Sequence, residues 1–198
     1  KDKLGGECLN YGCIPSKALI NAANNIYKPK KAEALGLKAS DLSLDWARVQ
    51  TWKGQLVGGF AKNIGALVKA NGGDTIGGAA KFTGKNSAEI ATPDGKKETV
   101  QFEQAVIAAG SYSSSIPGFS IDGMDVLGSK EALDLPSPPQ ALAVIGGGVI
   151  GLEIGTFFAK LGTKVTVVEF MDALLPVIEK DMTVPVARIL ARLGVEVF

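Results

Sequence analysis

The chain has 198 residues, of which 46% are apolar, and its 21 Lys and Arg nearly balance its 20 Asp and Glu. This length and composition suit one large or two small globular domains and exclude disorder. A formal net charge of +1, with basic residues scattered along the chain, excludes the basic stripe of a nucleic-acid binder. The absence of His excludes Ser–His and Cys–His catalysis and His-ligated metals, and two Cys alone cannot complete a zinc site.

The sequence offers no candidate for a membrane span. Its longest stretch without charged or strongly polar residues, 141–152, is too short to cross a bilayer and is rich in Gly at its centre. The sequence begins at Lys1 rather than Met and ends in an apolar run typical of a strand. We therefore expect a fragment of a longer protein.

Two long helices are predicted in the first third of the chain. The first spans 14–34, is rich in Ala, Leu and Lys, and carries Pro15 in its first turn, where Pro is tolerated. The second spans 44–70, with Asp45 as its amino-terminal cap and the Asn-Gly-Gly run 71–73 as its stop.

A β-rich region follows these helices. Short β-like runs between 74 and 102 are separated by Gly, and the turn sequence Thr92–Gly95 predicts an antiparallel meander. The apolar run 105–109, which ends at Gly110, is typical of a buried parallel strand. The Ser-, Pro- and Gly-rich passage after it places a domain boundary near 115–120.

The carboxy-terminal part of the chain predicts a βαβ unit and one further helix and strand. The predicted elements are strand 141–145, helix 149–161, strand 164–169, helix 184–193 and strand 195–198. Gly162 ends the first of these helices, and Thr183 and Pro185 open the second.

A glycine pattern lies between the first of these strands and its helix. Residues Gly146–Gly151 read GGGVIG, which fits GxGxxG, and Glu169 ends the next strand at the spacing of a dinucleotide-binding unit. Gly146 supplies the tight turn, Gly148 lets the backbone approach a pyrophosphate, and Gly151 permits close packing of helix on strand. The alternative interpretation is a Gly-rich packing turn beside a solvated Glu.

The chemistry of this unit favours NAD over NADP. The amino terminus of the helix presents N–H groups and a partial positive charge to phosphates. Glu169 can accept hydrogen bonds from both ribose hydroxyls but would repel a 2′-phosphate, and no Lys or Arg stands in 169–172.

Two cysteines lie five residues apart at the start of the first predicted helix. In a regular helix that separation rises by about 7.5 Å, beyond the roughly 7 Å limit on Cα separation in a disulfide. A bridge between Cys8 and Cys13 therefore requires a non-helical segment, which Asn10 and Gly12 favour because both tolerate left-handed conformations. A helix amino terminus lowers the pKa of a Cys, and Lys17, one turn after Cys13, adds positive charge.

Two interpretations of the pair are open at this point: a redox-active pair, or two buried reduced thiols. A structural disulfide is the weaker interpretation, because one short-range bridge would do little for a chain of this size.

Together these motifs resemble those of the pyridine nucleotide disulfide oxidoreductases, and the resemblance covers the chain from Leu4 to Phe198. The most specific match is the redox motif 8–17, CLNYGCIPSK, which is closer to the dihydrolipoamide-oxidising members than to the glutathione or mercuric reductases. The stretch Gly146–Gly155 is similarly close.

The resemblance implies an α/β fold with a two-domain FAD/NAD(P)-binding architecture, Rossmann-like, with three-layer ββα domains. The FAD-binding domain would cover 1–117 and lack its first βαβ unit, and the NAD-binding domain would cover 118–198, so that both are incomplete. The family also has a carboxy-terminal interface domain with a His/Glu pair that serves the partner subunit. We therefore expect the complete protein to be active and this chain alone to be inactive.

The resemblance also implies roles for individual residues. Cys8 would be the thiol that exchanges with dihydrolipoamide, and Cys13 would be the thiol beside FAD. Lys17 would lie near the reactive nitrogen of the flavin and pair with Glu153. The other implied flavin contacts are Ala80, Ala109, Gly110 and Ser111. The implied NAD contacts are Gly146, Gly147, Gly148, Val149, Ile150, Gly151, Glu153 and Glu169; no metal is implied.

The implied reaction passes electrons from dihydrolipoamide through a Cys8/Cys13 disulfide and FAD to NAD. The implied partner is dihydrolipoamide on the lipoyl domain of a 2-oxoacid dehydrogenase complex, and the implied assembly is a homodimer. Cytoplasm or mitochondrial matrix is the expected location, since both fit a low Cys count and a redox-active pair.

Three other functions remain open from the sequence. A sister reductase would act on another disulfide or a metal ion, and consumption of NADPH in place of NADH would favour it. A non-catalytic binding or scaffold piece would keep the fold without flavin. A simple NAD-binding domain would leave the cysteine pair unexplained.

Overall fold

The computed structural model describes residues 3–38 and 41–198. Its helices are α1 Gly6–Tyr11, α2 Cys13–Ala32, α3 Trp46–Ala70, α4 Ser129–Leu133, α5 Val149–Lys160 and α6 Lys180–Arg192. Its strands are β1 Ala79–Gly84, β2 Ser87–Ala91, β3 Lys97–Gln101, β4 Ala141–Ile145, β5 Lys164–Val168 and β6 Glu196–Val197. The fold is α/β, with one antiparallel and one parallel sheet.

The parallel sheet has the strand order β4-β5-β6 and contains the predicted βαβ unit. Strand β4 runs parallel to β5 over five residue pairs, from Ala141 beside Lys164 to Ile145 beside Val168, and α5 connects the two strands. Side chains of β5 alternate between buried and exposed, because a pleated strand presents successive residues to opposite faces. The prediction of this unit is confirmed.

The antiparallel sheet is the predicted meander β1-β2-β3. The turn Thr92–Gly95 joins its last two strands, with the Gly95 N–H donating to the Thr92 carbonyl at 3.0 Å. The ring of Phe82 in β1 meets the ring of Phe102, the residue after β3, edge to face at a centroid distance of 5.8 Å.

The two long helices begin and end close to their predicted bounds. Asp45 caps α3, since its carboxylate accepts from the Arg48 N–H at 3.0 Å. Asn71 and the glycines after it end the same helix, as predicted. Helix α2 is followed by the 3₁₀ turn Glu33–Leu35 and stops at Gly36, whose φ of +86° suits Gly.

Two predicted elements differ in the structure. Helix α6 begins at Lys180, four residues before the predicted start, and so contains Pro185 in its interior. Other hydrogen bonds stabilise the turn before Pro185. One of them is donated by the Thr183 hydroxyl to the Lys180 carbonyl at 3.0 Å. The predicted strand 105–109 is wrong, because a strand needs a neighbour and none pairs with this run among the described residues. Val106 is accordingly 92% exposed.

The core lies where α5 packs against α2 and the parallel sheet. Phe157 and Phe158 of α5 are fully buried, as is Leu19 of α2, and Trp46 at the start of α3 lies 6.3 Å from the ring of Phe158. Residues on both sides of the predicted domain boundary thus share one hydrophobic cluster. This packing holds the amino-terminal turn of α2 beside the first half of α5.

Helix α5 buries most of its apolar side chains, including Ile154, Phe157 and Phe158. Ile150, in its first turn, is 64% exposed, whereas Leu152 is buried. Within the described ranges, no helix combines the length and apolar character that spanning a membrane requires.

Candidate active site

The two cysteines lie on either side of a helix break. Cys8 is in the middle of α1, Cys13 is the first residue of α2, and Gly12 separates the two helices. A Cβ on Gly12 would lie 3.5 Å from the Cα of Cys8, so the break folds back against α1. The non-helical segment that a bridge requires is therefore confined to Gly12, whereas Asn10, expected in the loop, is helical.

Both thiols are exposed and are not joined in a disulfide. Hydrogen bonding to the Cys8 thiol is the largest cause that raises the pKa of Cys13, with smaller contributions from burial and from the charge of Cys8. The ammonium group of Lys17 acts in the opposite direction but is outweighed. The expectation that the helix terminus and Lys17 lower the pKa of Cys13 is therefore wrong for the reduced pair, because the second thiol dominates.

Replacing Cys8 by Ala is expected to make Cys13 more reactive at pH 8. The substitution removes both the hydrogen bond and the charge that raise the pKa of Cys13, so a larger fraction of Cys13 is thiolate at a given pH. The rate of alkylation by iodoacetamide, followed by mass spectrometry of the Cys13 peptide, should rise about twofold or more. Denatured protein gives the reference rate of an unperturbed thiol. A slower or unchanged rate in the variant would contradict the assignment of Cys8 as the cause.

An ion pair joins the two helices next to the thiols. The Lys17 Nζ lies 2.6 and 2.7 Å from the two carboxylate oxygens of Glu153. The ion pair therefore links α2 to α5, which are far apart in sequence. Both side chains are partly exposed, with relative exposures of 57% and 29%, and such a pair contributes little to stability. Its importance is positional, since it fixes a cation one helical turn from Cys13.

Ser16 belongs to this site and was not singled out from the sequence. It is 5% exposed, and its hydroxyl donates to the Cys13 carbonyl at 3.1 Å and lies 3.5 Å from a carboxylate oxygen of Glu153. The sequence feature that could have identified Ser16 is a small polar residue in the first turn of a predicted helix.

Asn10 is a second residue that the sequence did not single out for this role. Its amide nitrogen donates to the carbonyls of Leu4 and Gly6, at 2.9 and 3.0 Å, and so ties the chain before α1 to that helix. The Asn10 side chain, which anchors α1 to the preceding residues, is thus buried beneath that helix.

The glycine loop has the local geometry that its pattern predicts. Gly146 has a φ of +99°, which suits Gly, and its N–H donates to Val168 at 2.8 Å. A Cβ on Gly151 would lie 2.8 Å from both the Gly146 carbonyl oxygen and a methyl group of Val144. A Cβ on Gly148, in contrast, would meet nothing within 4 Å, so this part of the loop faces open space.

Glu169 is held against the glycine loop by backbone donors. Its carboxylate accepts from the Gly147 N–H and, at 2.8 Å, from the Met171 N–H, and these bonds hold the pKa of Glu169 below its usual value. The carboxylate stands at the end of β5, beside the uncapped amino terminus of α5. A carboxylate has further lone pairs, so the group can still accept from a ligand there.

The other predicted flavin contacts are not gathered at the thiols. Ala80 lies in β1 beside Ile90, in an antiparallel sheet that makes no extensive contact with α1, α2 or α5 among the described residues. Ala109, Gly110 and Ser111 lie outside any helix or strand and are exposed. The structure therefore assembles Cys8, Cys13, Lys17 and Glu153 at one place and the glycine loop with Glu169 at another.

Comparison of the sequence with known protein families identifies the family of this chain. The sequence profile of the pyridine nucleotide-disulphide oxidoreductase family matches residues 2–198. The chain belongs to this family. Its members are oxidoreductases that bind FAD and a nicotinamide dinucleotide, which accounts for both a cysteine pair and a GxGxxG unit in one chain.

Several relatives share the whole of this chain. It is 42% identical over 198 residues to a dihydrolipoyl dehydrogenase of Haloferax volcanii, covering 99% of this chain and 42% of the relative. It is 40% identical over 197 residues to a dihydrolipoyl dehydrogenase of Geobacillus stearothermophilus, covering 100% and 42%. The chain thus spans less than half the length of these relatives.

Solved structures give the same fold. The chain superimposes on the HOCl-induced flavoprotein disulfide reductase RclA of Escherichia coli with a TM-score of 0.80 at 28% identity, covering 100% of this chain and 41% of that one. It superimposes on LpdA of Mycobacterium tuberculosis with a TM-score of 0.90 at 24% identity, covering 100% and 43%.

Proposed function

We propose that the chain is the central part of a flavoprotein that oxidises dihydrolipoamide with NAD. The observation that carries the proposal is a pair of exposed cysteines on either side of the break at Gly12, one helical turn from the Lys17–Glu153 ion pair. Relatives at about 40% identity that are dihydrolipoyl dehydrogenases support this choice of substrate.

The residues at the thiols fit the flavin of FAD. Cys13 and Lys17 are both exposed and lie one helical turn apart, so they can contact the same planar group. When bound, FAD supplies the two-electron chemistry that links a dithiol to a nicotinamide. Glu153 holds the Lys17 ammonium group in place, and the Ser16 hydroxyl, which donates to the Cys13 carbonyl, lies beside that carboxylate.

The cysteine pair accounts for the dithiol half of the reaction. A thiolate of dihydrolipoamide attacks the sulfur of Cys8 in a Cys8–Cys13 disulfide, and Cys13 leaves as thiolate. The second thiol of the substrate then displaces Cys8, so that the substrate becomes a disulfide and the protein holds two thiols. Two electrons and two protons have moved from substrate to protein.

The glycine loop fits the pyrophosphate of NAD. The open space at Gly148 and the first-turn N–H groups of α5, which no side chain caps, suit an approaching phosphate. We expect the pyrophosphate to lie against Gly146, Gly147, Val149, Ile150 and Gly151 around this point, and the ribose hydroxyls to donate to Glu169.

Replacing Glu169 by Ala is expected to raise the activity with NADP relative to NAD by about tenfold or more. The carboxylate that would hydrogen-bond the ribose hydroxyls and repel a 2′-phosphate is removed. The ratio of kcat/KM for the two cofactors, measured in the complete protein, tests this. Glu179→Ala, at the amino-terminal end of α6, is the control for loss of an exposed carboxylate. An unchanged ratio would remove Glu169 from the cofactor site.

The partners and location follow from the same proposal. The substrate would be dihydrolipoamide on a lipoyl domain of a 2-oxoacid dehydrogenase complex, and the protein would be a homodimer. Cytoplasm or mitochondrial matrix is the proposed location, which agrees with a mitochondrial relative from Dictyostelium discoideum at 42% identity over 174 residues.

The test is a substrate panel on the complete protein. Reduction of NAD by dihydrolipoamide, far faster than any reaction with NADPH, supports the proposal. The second candidate is a sister reductase, which the match to RclA favours. Consumption of NADPH with another disulfide or a metal ion, without activity toward dihydrolipoamide, would establish it instead.

A further inference from the structure

Three side chains of α3 donate hydrogen bonds to one short segment at the end of α4. The donors are Trp46, Gln50 and Lys53, which share a face of the helix because they are four and three residues apart. The acceptors lie in residues 133–135. We call this set of contacts the α3 clasp.

Two backbone carbonyls in the α3 clasp each receive two hydrogen bonds. The Leu133 carbonyl accepts from the Gln50 Nε2 at 3.1 Å and from the Lys53 Nζ at 2.7 Å. The Leu135 carbonyl accepts from the Gln50 Nε2 at 3.0 Å and from the Trp46 Nε1 at 2.9 Å. The last carbonyls of a helix have no partner within it, so α3 supplies the donors that the end of α4 lacks.

The α3 clasp also contains a buried charge. Lys53 is 5% exposed, and its Nζ lies 2.6 Å from the carboxylate of Asp134, which is itself exposed. Taking an ammonium group out of water costs free energy, so such an ion pair adds little to stability even when it is well hydrogen-bonded. A buried ionic group can instead select one arrangement of the chain over others. Lys53 is therefore suited to fixing a position.

The segment held by the α3 clasp leads directly into the βαβ unit. Residues 136–140, which join the clasp to β4, include three prolines, so this connection is stiff. At its far end the Pro139 carbonyl accepts from the Thr163 hydroxyl at 2.7 Å, and the Gln140 carbonyl accepts from the Lys164 N–H at 3.0 Å. The connection is thus fixed to α3 at one end and to the βαβ unit at the other.

The α3 clasp supplies a directional constraint that the shared core does not. Apolar packing between α2 and α5 joins the two parts of the molecule, but the hydrophobic effect is non-directional. Hydrogen bonds weaken steeply as they depart from a straight line. Donors spread over about two turns of α3 therefore fix both the position and the tilt of the segment before β4. The glycine loop begins at Gly146, immediately after that strand.

We propose that Gln50 and Lys53 are positioning residues that set the orientation of the nucleotide-binding βαβ unit relative to the cysteine helices. The inference rests on the proposed function, in which a flavin beside the thiols exchanges electrons with NAD at the glycine loop. Transfer between two bound groups depends steeply on their geometry, since a displacement of about 1 Å can lower a rate about a hundredfold. Gln50 and Lys53 act on this geometry through residues 133–135.

Gln50→Leu tests the proposal and should leave the fold intact, because each carbonyl that loses Gln50 keeps a second donor. The measurement is anaerobic stopped-flow reduction of the flavin in the complete protein, by NADH in one series and by dihydrolipoamide in the other. We expect the limiting rate at saturating NADH to fall about fivefold or more. The Kd of NADH and the rate with dihydrolipoamide should stay within about twofold, because the glycine loop and both cysteines are unchanged.

Gln55→Leu is the matched control, since it removes an exposed amide from the same helix, and it should leave both rates unchanged. An unchanged NADH rate in Gln50→Leu, an equal fall in both rates, or a fall confined to the affinity for NADH overturns the proposal. An equal effect of Gln55→Leu also overturns it. A complete protein that NADH reduces and dihydrolipoamide does not would contradict the proposed substrate, whereas the NADH rates of the two variants would still test the α3 clasp.

Discussion

Replacing both Cys8 and Cys13 by Ser is expected to abolish reduction of NAD by dihydrolipoamide, with a loss of about a thousandfold or more. A serine hydroxyl neither forms a disulfide nor leaves as a thiolate, so the exchange that takes electrons from the substrate has no acceptor. The measurement is the initial rate of NADH formation by the complete, flavin-loaded protein.

The same variant contains its own control. NADH oxidation by an artificial quinone, which takes electrons without the cysteines, should continue at a rate within about threefold of the unsubstituted protein, because the Lys17–Glu153 pair and the glycine loop are intact. Loss of both activities would indicate misfolding. Retention of dihydrolipoamide oxidation would remove the cysteines from the reaction.

Gly151→Ala is expected to lower the free energy of unfolding by about 2 kcal/mol or more. The new methyl group would lie 2.8 Å from the carbonyl oxygen of Gly146, which is backbone and cannot move without displacing the turn before α5. The gain in helix propensity of Ala over Gly, up to about 1 kcal/mol, is too small to offset this contact. Urea unfolding measures the change, and the fluorescence of Trp46, packed beside Phe158 in the core, reports it.

Gly148→Ala is the matched control for that substitution. Nothing lies within 4 Å of its Cβ position, and its φ of −78° is accessible to Ala, so stability should change by less than about 1 kcal/mol. NAD affinity, in contrast, should fall about tenfold, because the methyl group would occupy the space where the pyrophosphate approaches. Equal loss of stability in both variants would contradict the tight packing assigned to Gly151.

Elements that carry their own signal were predictable from the sequence. Helix α3 could be found because apolar residues recur along it and Asp45 caps it, and the βαβ unit because the glycine pattern and Glu169 stand at fixed places in it. The ion pair between Lys17 and Glu153 was implied by resemblance alone. Nothing in the sequence alone indicates that Lys17 and Glu153, which are far apart in the chain, are in contact.

The failures share a physical cause, which is dependence on contacts made elsewhere in the fold. Residues 105–109 have the composition of a buried strand, yet they have no neighbouring strand among the described residues and lie exposed. Helix α1 is short and begins with Gly, and the side-chain bonds of Asn10 tie it to the preceding chain. The raised pKa of Cys13 depends on where the Cys8 thiol stands, which spacing alone does not give.

In the proposed function, Cys8 and Cys13 form a redox pair beside a bound flavin. The visible spectrum of the purified natural protein, recorded under argon before and after addition of a dithiol, tests it most directly. At a pH above the raised pKa of Cys13, we expect a flavin spectrum that gains a long-wavelength band when the pair is reduced, from the Cys13 thiolate against the flavin. A protein that remains colourless after FAD is added, or a bound flavin whose spectrum shows no such band, would contradict it.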